Sequence, residues 1–125
     1  MLDSGMTLLF NSIACDDQGQ TLNVNADDAA VAIAQLLNAD LYLFSNVPGV
    51  LDSERQLLPN LNQASFEALT QQGVIRDGMV VKVNAALQAA RCLRRPVNIG
   101  SWQDSSALQL IANSHQVELG TQIQP

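Results

Sequence analysis

Apolar positions recur along this chain in two patterns, short continuous runs and longer segments with helical spacing. The helical spacing predicts two long helices, from about residue 26 to 37 and from about 79 to 93. The first apolar stripe is Ala30, Ile33, Ala34 and Leu37, and the second is Val80, Val83, Leu87, Ala90 and Leu93. Because Val31 and Leu36 widen the first stripe, we expect that helix to be well covered.

Four short apolar runs predict strands, at residues 6–10, 41–44, 97–100 and 120–123. The run at 41–44 is apolar at every position, which is typical of a parallel strand with helices on both faces of its sheet. Two shorter helices are expected near residues 65–72, with Gly73 as a left-handed cap, and near 105–112. The polar residues 52–60 predict a small hairpin, and residues 16–20 a turn at Gly19.

The resulting order is strand, helix, strand, helix, helix, strand, helix, strand. It predicts one α/β domain over residues 1–125, with a mainly parallel sheet and right-handed crossovers. The composition agrees with an α/β domain, because hydrophobic residues make up 47% of the chain and aromatic residues only 4%. A core of Leu, Val, Ile and Ala suits helices packed on a sheet.

Composition also argues against some classes of function. The net charge of −6 argues against a general nucleic-acid binder, although a single nucleotide can still be bound by one lysine and a few backbone N–H groups.

Cys15 and Cys92 have no nearby Cys or His partner, so we expect buried thiols in a reducing cytoplasm and no metal site. His115, the only histidine, is expected in an exposed loop or at a helix end. Neither a signal peptide nor a membrane-spanning run is present, so a cytoplasmic location is expected, without nucleic-acid or membrane partners.

Residues 22–30, Leu-Asn-Val-Asn-Ala-Asp-Asp-Ala-Ala, place two amides and two carboxylates directly before the first long helix. Asn25 can cap that helix, and Asp27 and Asp28 then lie where the helix dipole favours negative charge. This explanation leaves Asn23 without a role. An ordinary helix cap and a functional site are both open interpretations.

Lys82 is the only lysine in the chain and lies near the start of the second long helix. A cation there is disfavoured by about 0.3–1 kcal/mol, which suggests a nearby anion, although an exposed lysine without special role is the alternative. Gly78 and the free N–H groups of the first turn would add to an anion site. Asp27 can pair with Lys82 if both helices start at one crevice. The loop after residues 41–44 is a second candidate, because ligands bind beyond the carboxyl ends of parallel strands.

Three ordered segments, residues 22–30, 43–52 and 77–86, together closely resemble the C-terminal half of acetylglutamate kinases, which belong to the amino-acid kinase family. The resemblance extends over nearly the whole chain, including Ile99-Gly100-Ser101-Trp102 and residues 120–123. It implies the three-layer αβα, carbamate kinase-like fold of that family, here as its C-terminal, nucleotide-binding half.

The resemblance implies transfer of the γ-phosphoryl group of ATP, with Mg²⁺, to the γ-carboxylate of N-acetyl-L-glutamate in arginine biosynthesis. Lys82 then resembles the lysine that meets the transferring phosphoryl group, and Asp27 the aspartate that organises the catalytic lysines. Asn23 and Asn25 are assigned to substrate binding. The nucleotide-binding residues implied are Ser45, Asn46, Val47, Gly49, Gly78, Met79 and Lys82.

Two departures from the family matter. The family's N-terminal half, with a further lysine and glycine-rich turns, has no counterpart here, and Asn46 stands where the family usually has aspartate. We therefore expect the isolated chain to bind ATP or ADP weakly and not to turn over acetylglutamate. One alternative is a non-catalytic module that self-associates or binds a partner through its exposed sheet edge, which predicts a homo-oligomer. Another is a fragment of a carbamate, aspartate or uridylate kinase.

Overall fold

The computed structural model describes residues 4–113 and 119–125. The elements in chain order are β1 (Ile13–Cys15), β2 (Thr21–Asn23), α1 (Ala26–Leu37), β3 (Tyr42–Ser45), β4 (Asn60–Leu61), α2 (Gln63–Gln71), α3 (Asp77–Leu93), β5 (Val97–Ser101), α4 (Ser105–Asn113) and β6 (Thr121–Ile123). His115 lies outside the described residues, so its predicted position stays a prediction. Within the described ranges no helix combines the length and apolarity that a membrane span needs.

A four-stranded sheet with the order β3-β5-β6-β4 lies at the centre of the fold. Strands β3 and β5 are parallel, with Ser45 opposite Ser101, and β4 is parallel to β6. Only β5 and β6 run antiparallel, with Ile99 opposite Thr121. The prediction of an α/β fold with a mainly parallel sheet is therefore confirmed.

Helix α3 forms the centre of the core, because it packs on β5 and β6 and also contacts α1. Its inward face is largely alanine, and Val83, Ala86 and Ala90 have no exposed surface. These short side chains let the helix approach the sheet closely, where β5 presents the fully buried Val97 and Ile99. The apolar stripe predicted for this helix is thus confirmed as the core face.

The predicted helices are present with small shifts at their ends. Helix α1 has the predicted bounds, and Asn25 caps it as expected. Helix α3 begins two residues before the prediction, at Asp77. Helix α2 begins at Gln63, because Asn62 and Ser65 form a capping box, and Gly73 follows its end with φ of 70° as predicted.

The strand predicted at residues 6–10 is wrong. This segment belongs to no strand, and its Leu9 and Phe10 are 98% and 59% exposed. An apolar run forms a strand only where a neighbouring strand accepts its backbone hydrogen bonds, and no described strand does so here. The following residues form an unpredicted hairpin of β1 and β2, whose turn contains Gly19 with φ of 78°.

Two predictions of burial are also wrong. Helix α1 buries only Val31 and Ala34, whereas Leu36 is 85% exposed. Both cysteines are exposed, because Cys15 lies in the exposed hairpin and Cys92 on the outward face of α3. The sequence pattern shows which residues are apolar but not how much of a helix its neighbours cover.

Candidate active site

The site predicted around Lys82 and Asp27 depends on two helices that start at the same edge of the sheet. Helix α1 leads into β3, and α3 leads into β5, through connections of only three or four residues. Each helix therefore runs antiparallel to the strand that follows it. With helical and strand rises of about 1.5 and 3.3 Å per residue, we infer that both side chains lie near or just beyond the carboxyl ends of β3 and β5.

Lys82 and Asp27 form a bidentate ion pair across the two helices. The Lys82 Nζ donates to Asp27 Oδ1 at 2.7 Å and to Oδ2 at 2.8 Å. The side chains are only 15% and 23% exposed, so solvent screens the pair weakly. The predicted pairing is confirmed. Among the described residues no third acceptor contacts Nζ, which leaves one N–H to donate to an anion.

The position of Asp27 is fixed by its neighbour Asn25. The Asn25 Oδ1 accepts hydrogen bonds from the backbone N–H groups of Asp27, at 2.9 Å, and Asp28, at 3.3 Å. Capping is therefore one role of Asn25, and substrate binding by this residue stays a prediction. Asn23, also predicted to bind substrate, lies exposed at the end of β2 opposite Ile13.

The first turn of α3 has no side-chain cap, because its N-cap residue Arg76 makes no such hydrogen bond. Gly78 is exposed, and a Cβ added there would meet nothing within 4 Å. Packing therefore does not require glycine at this position, which leaves the backbone open to approach by a ligand. Met79 is partly buried and packs against the core, so its side chain supports the helix start.

The loop after β3 carries the remaining predicted nucleotide-binding residues. The Ser45 hydroxyl donates to Asn46 Oδ1 at 3.3 Å, and the Ser45 carbonyl accepts from the Trp102 N–H at 3.1 Å. Asn46 is exposed and Val47 is half-buried. The ends of β3 and β5 are thus tied together at the edge where the ion pair also lies.

Gly49 has a packing role that sequence reasoning did not find. A Cβ at this position would lie 2.6 Å from Thr121 Oγ1 and 2.7 Å from Leu57 Cδ1. Thr121 itself is fully buried, accepts from the Val50 N–H at 2.8 Å and donates to the Leu58 carbonyl at 2.7 Å. Its place directly after Gly120 in a final strand was visible in the sequence, but nothing there indicated its contact with this loop.

A groove of about 580 Å³ lies between residues 10–12 and α1 and reaches the start of that helix at Ala26. Phe10, Ile33 and Asp40 are among the residues that line it, and none of the predicted site residues does. The Asp40 carboxylate accepts from Arg95 Nη1 at 2.8 Å.

In the described part of the chain, His, Cys, Asp and Glu side chains form no group of three that could hold a metal ion.

The model of the amino acid kinase family matches residues 1–101. An acetylglutamate kinase of Photorhabdus laumondii is 50% identical over 123 residues, which are 98% of this chain and 47% of that protein. The chain therefore spans about half the length of this relative.

Solved structures match the fold. An N-acetylglutamate synthase from Neisseria gonorrhoeae, in complex with coenzyme A and L-arginine, superimposes with a TM-score of 0.83 at 19% identity, over 98% of this chain and 28% of that one. A carbamate kinase from Giardia lamblia, bound to citric acid, gives a TM-score of 0.64 at 23% identity, over 90% of this chain and 35% of that one. At these identities the likeness concerns the fold alone.

Proposed function

This chain belongs to the amino acid kinase family, and we propose that it is the nucleotide-binding half of an acetylglutamate kinase. The observation that carries the proposal is the ion pair of Lys82 and Asp27, which joins the N-terminal parts of α1 and α3. In this proposal the remaining N–H of Lys82 donates to the γ-phosphoryl group of ATP. Asp27 holds the ammonium in place.

Phosphoryl transfer depends mainly on positioned positive charge, because negative charge on the equatorial oxygens must be neutralised in the transition state. A lysine anchored by a carboxylate is already oriented when the nucleotide arrives. The uncapped first turn of α3, with exposed Gly78, adds backbone N–H donors at the same helix end. Ser45, Asn46, Val47 and Gly49 form the opposite wall of the proposed pocket.

The proposed cofactor is ATP with Mg²⁺, and the proposed acceptor is N-acetyl-L-glutamate. The described residues offer no cluster of carboxylates for a metal, so Mg²⁺ would be bound chiefly by the nucleotide phosphates. Asn23 and Asn25 would contact the acceptor. The arginine-biosynthetic role and the cytoplasmic location expected from the sequence stay predictions.

We further infer that these 125 residues alone do not turn over acetylglutamate. The chain spans 47% of the relative from Photorhabdus laumondii, so any site residues in the rest of that relative have no counterpart among these 125 residues. Since phosphoryl transfer depends on the joint position of all the groups of a site, loss of some of them removes most of the rate. Acetylglutamate-dependent release of ADP by the purified chain would contradict this inference.

Nucleotide binding is the direct test of the proposed pocket. Calorimetric titration with a non-hydrolysable ATP analogue, which keeps the γ-phosphoryl group, should give saturable binding. Lys82→Met should weaken that binding about tenfold or more, the loss expected for one charge-assisted hydrogen bond. Arg91→Met is the matched control, because it removes the same charge from the same helix roughly 13 Å further along the axis. Absence of binding by the unchanged protein, or equal effects of both substitutions, would overturn the proposal.

A second candidate is a module that associates with itself. Several apolar side chains near the start of the described chain are unusually exposed, with Leu9 at 98% and Phe10 at 59%. Exposed apolar patches of this kind favour association. Light scattering after gel filtration should then show a dimer or larger species, which Leu9→Ser with Phe10→Ser converts to monomer. A monomer at high concentration would contradict this candidate without affecting the nucleotide proposal.

A further inference from the structure

We propose that Thr121 is a positioning residue, which fixes the loop of residues 45–50 and thereby sets the affinity for the nucleotide. The inference rests on the proposed function, because the loop is taken as one wall of the nucleotide pocket. It assigns a role to the last strand, β6, which none of the predicted site residues occupies. Thr121 does not touch the nucleotide in this proposal and acts only through the loop.

The Thr121 hydroxyl joins both arms of the excursion that follows β3. It accepts from the Val50 N–H at 2.8 Å and donates to the Leu58 carbonyl at 2.7 Å. The arms also contact each other, because the Leu58 N–H donates to the Val50 carbonyl at 2.9 Å. One buried hydroxyl therefore attaches the base of the whole excursion to β6.

Close backbone packing fixes the loop from the other side. Gly120 has φ of 61°, and a Cβ there would lie 2.5 Å from the Pro48 carbonyl oxygen and 2.0 Å from that of Ile99. A Cβ on Gly49 would in turn meet Thr121 Oγ1 at 2.6 Å. Both glycines allow the loop to lie directly against the start of β6. The loop has no room to move toward the sheet, and the hydroxyl prevents it from moving away.

A hydroxyl is needed at this position because it both donates and accepts, and the site is fully buried. Valine has nearly the same shape but leaves the Val50 N–H and the Leu58 carbonyl without partners, a loss that favours local opening. Serine keeps both hydrogen bonds and lacks only the methyl group. A shift of the loop by about 1 Å is enough to weaken binding strongly.

The test compares Thr121→Val and Thr121→Ser with a control in the same strand, Ile123→Val. Ile123 is also fully buried, and its partners in the neighbouring strands are Leu61 and Val97, so its shortening costs packing in the sheet. ADP affinity is measured by calorimetry at a temperature where circular dichroism shows every variant folded. Thr121→Val should weaken ADP binding about tenfold, whereas Thr121→Ser and Ile123→Val should stay within about twofold of the unchanged protein.

Amide hydrogen exchange adds a readout that does not need nucleotide. The Val50 N–H should exchange faster in Thr121→Val and not in Ile123→Val, because only the first loses its acceptor. In the unchanged protein Val50 should exchange more slowly than Glu54, an exposed residue whose N–H bonds to the Asp52 carboxylate. This comparison remains informative if Thr121→Val does not fold.

The outcomes separate the two proposals. Lack of ADP binding by the unchanged protein contradicts the proposed function, and the exchange of Val50 then decides whether Thr121 fixes the loop. Normal ADP affinity in folded Thr121→Val, while Lys82→Met still binds the non-hydrolysable ATP analogue weakly, overturns the positioning role and leaves the proposed function intact. Equal losses of ADP affinity in Thr121→Val and Ile123→Val would also overturn the positioning role, because strand packing would then explain both losses.

Discussion

Lys82 donates to both carboxylate oxygens of Asp27, at 2.7 and 2.8 Å, although 55 positions separate the two residues along the chain. The pair joins the first turn of α1 to the second turn of α3. Both helices contribute to the core, so the charged contact is fixed by apolar packing beneath it. The contribution of this ion pair to the free energy of unfolding can be measured without any ligand.

A double-mutant cycle of Lys82→Met and Asp27→Asn should give a coupling free energy of about 1–2 kcal/mol in urea unfolding. Removal of either partner leaves the other charge poorly solvated, since the side chains are only 15% and 23% exposed. The matched control is the pair of Arg95 and Asp40, whose side chains are each 34% exposed. Its coupling should stay below about 1 kcal/mol, and an equal or larger value there would contradict the role of burial.

The cap residue Asn25 should affect both stability and nucleotide binding. Asn25→Ala should lower the free energy of unfolding by about 1 kcal/mol, because two N–H groups of α1 lose their acceptor. It should also weaken binding of the non-hydrolysable ATP analogue, because Asp27 would no longer hold Lys82 toward the γ-phosphoryl group. Asn62→Ala, which removes the cap of α2, should cost a similar free energy without changing the affinity for the analogue. Unfolding monitored by circular dichroism and calorimetric titration give the two quantities.

Two turns of the chain share one hydrogen-bond pattern and differ at one position. Asp16 Oδ1 accepts from the N–H groups two and four residues later, and Asp52 Oδ1 does the same. The fourth residue has a left-handed φ in both, 78° at Gly19 and 63° at Arg55. The second turn thus places a side chain where the first has glycine.

Exchanges at these two turn positions should have opposite effects. Arg55→Gly should stabilise the protein by about 0.5 kcal/mol by relieving the left-handed strain, whereas Gly19→Ala should destabilise it by about 1 kcal/mol. Space does not limit the second change, because a Cβ on Gly19 would meet nothing within 4 Å. Urea unfolding of both variants measures the two changes in the free energy of unfolding. Changes of the same sign would contradict this prediction.

Asp104 should make the free energy of unfolding depend on pH in the acid range. The hydrogen bonds from the Ser106 hydroxyl and the Ala107 N–H lower the pKa of the Asp104 carboxyl. A lowered pKa means that the stabilisation is present above the ordinary aspartate pKa of about 3.9 and is lost as pH falls through the value in the folded protein.

Thermal unfolding of Asp104→Asn against pH checks this contribution. The difference in stability between the unchanged protein and the variant should be largest near neutral pH and should disappear in strong acid. Ser106→Ala should raise the pKa of Asp104 toward its ordinary value, as followed by NMR titration of the carboxyl. A difference that persists at low pH would contradict the proposed linkage.

The sequence alone determined the local structure of the long elements and the two charged groups of the site. Helix α1 has the predicted bounds, because its periodic apolar residues follow a strong cap at Asn25. The pairing of Lys82 with Asp27 was also predicted, since the only lysine lay near the start of one helix and two carboxylates, Asp27 and Asp28, near the start of the other. Helical periodicity and capping depend on neighbours within a few residues, so the sequence contains them directly.

Only the tertiary structure decided what the apolar runs contact. Residues 6–10 have the composition of a strand but no described strand pairs with them, and Leu36 remains exposed on a helix that appeared amphipathic. The contact of Thr121 with Val50 joins residues 71 positions apart, and no local pattern encodes it. Burial and long-range hydrogen bonds depend on which elements meet in space, and that is settled by the packing of the whole fold rather than by any one segment.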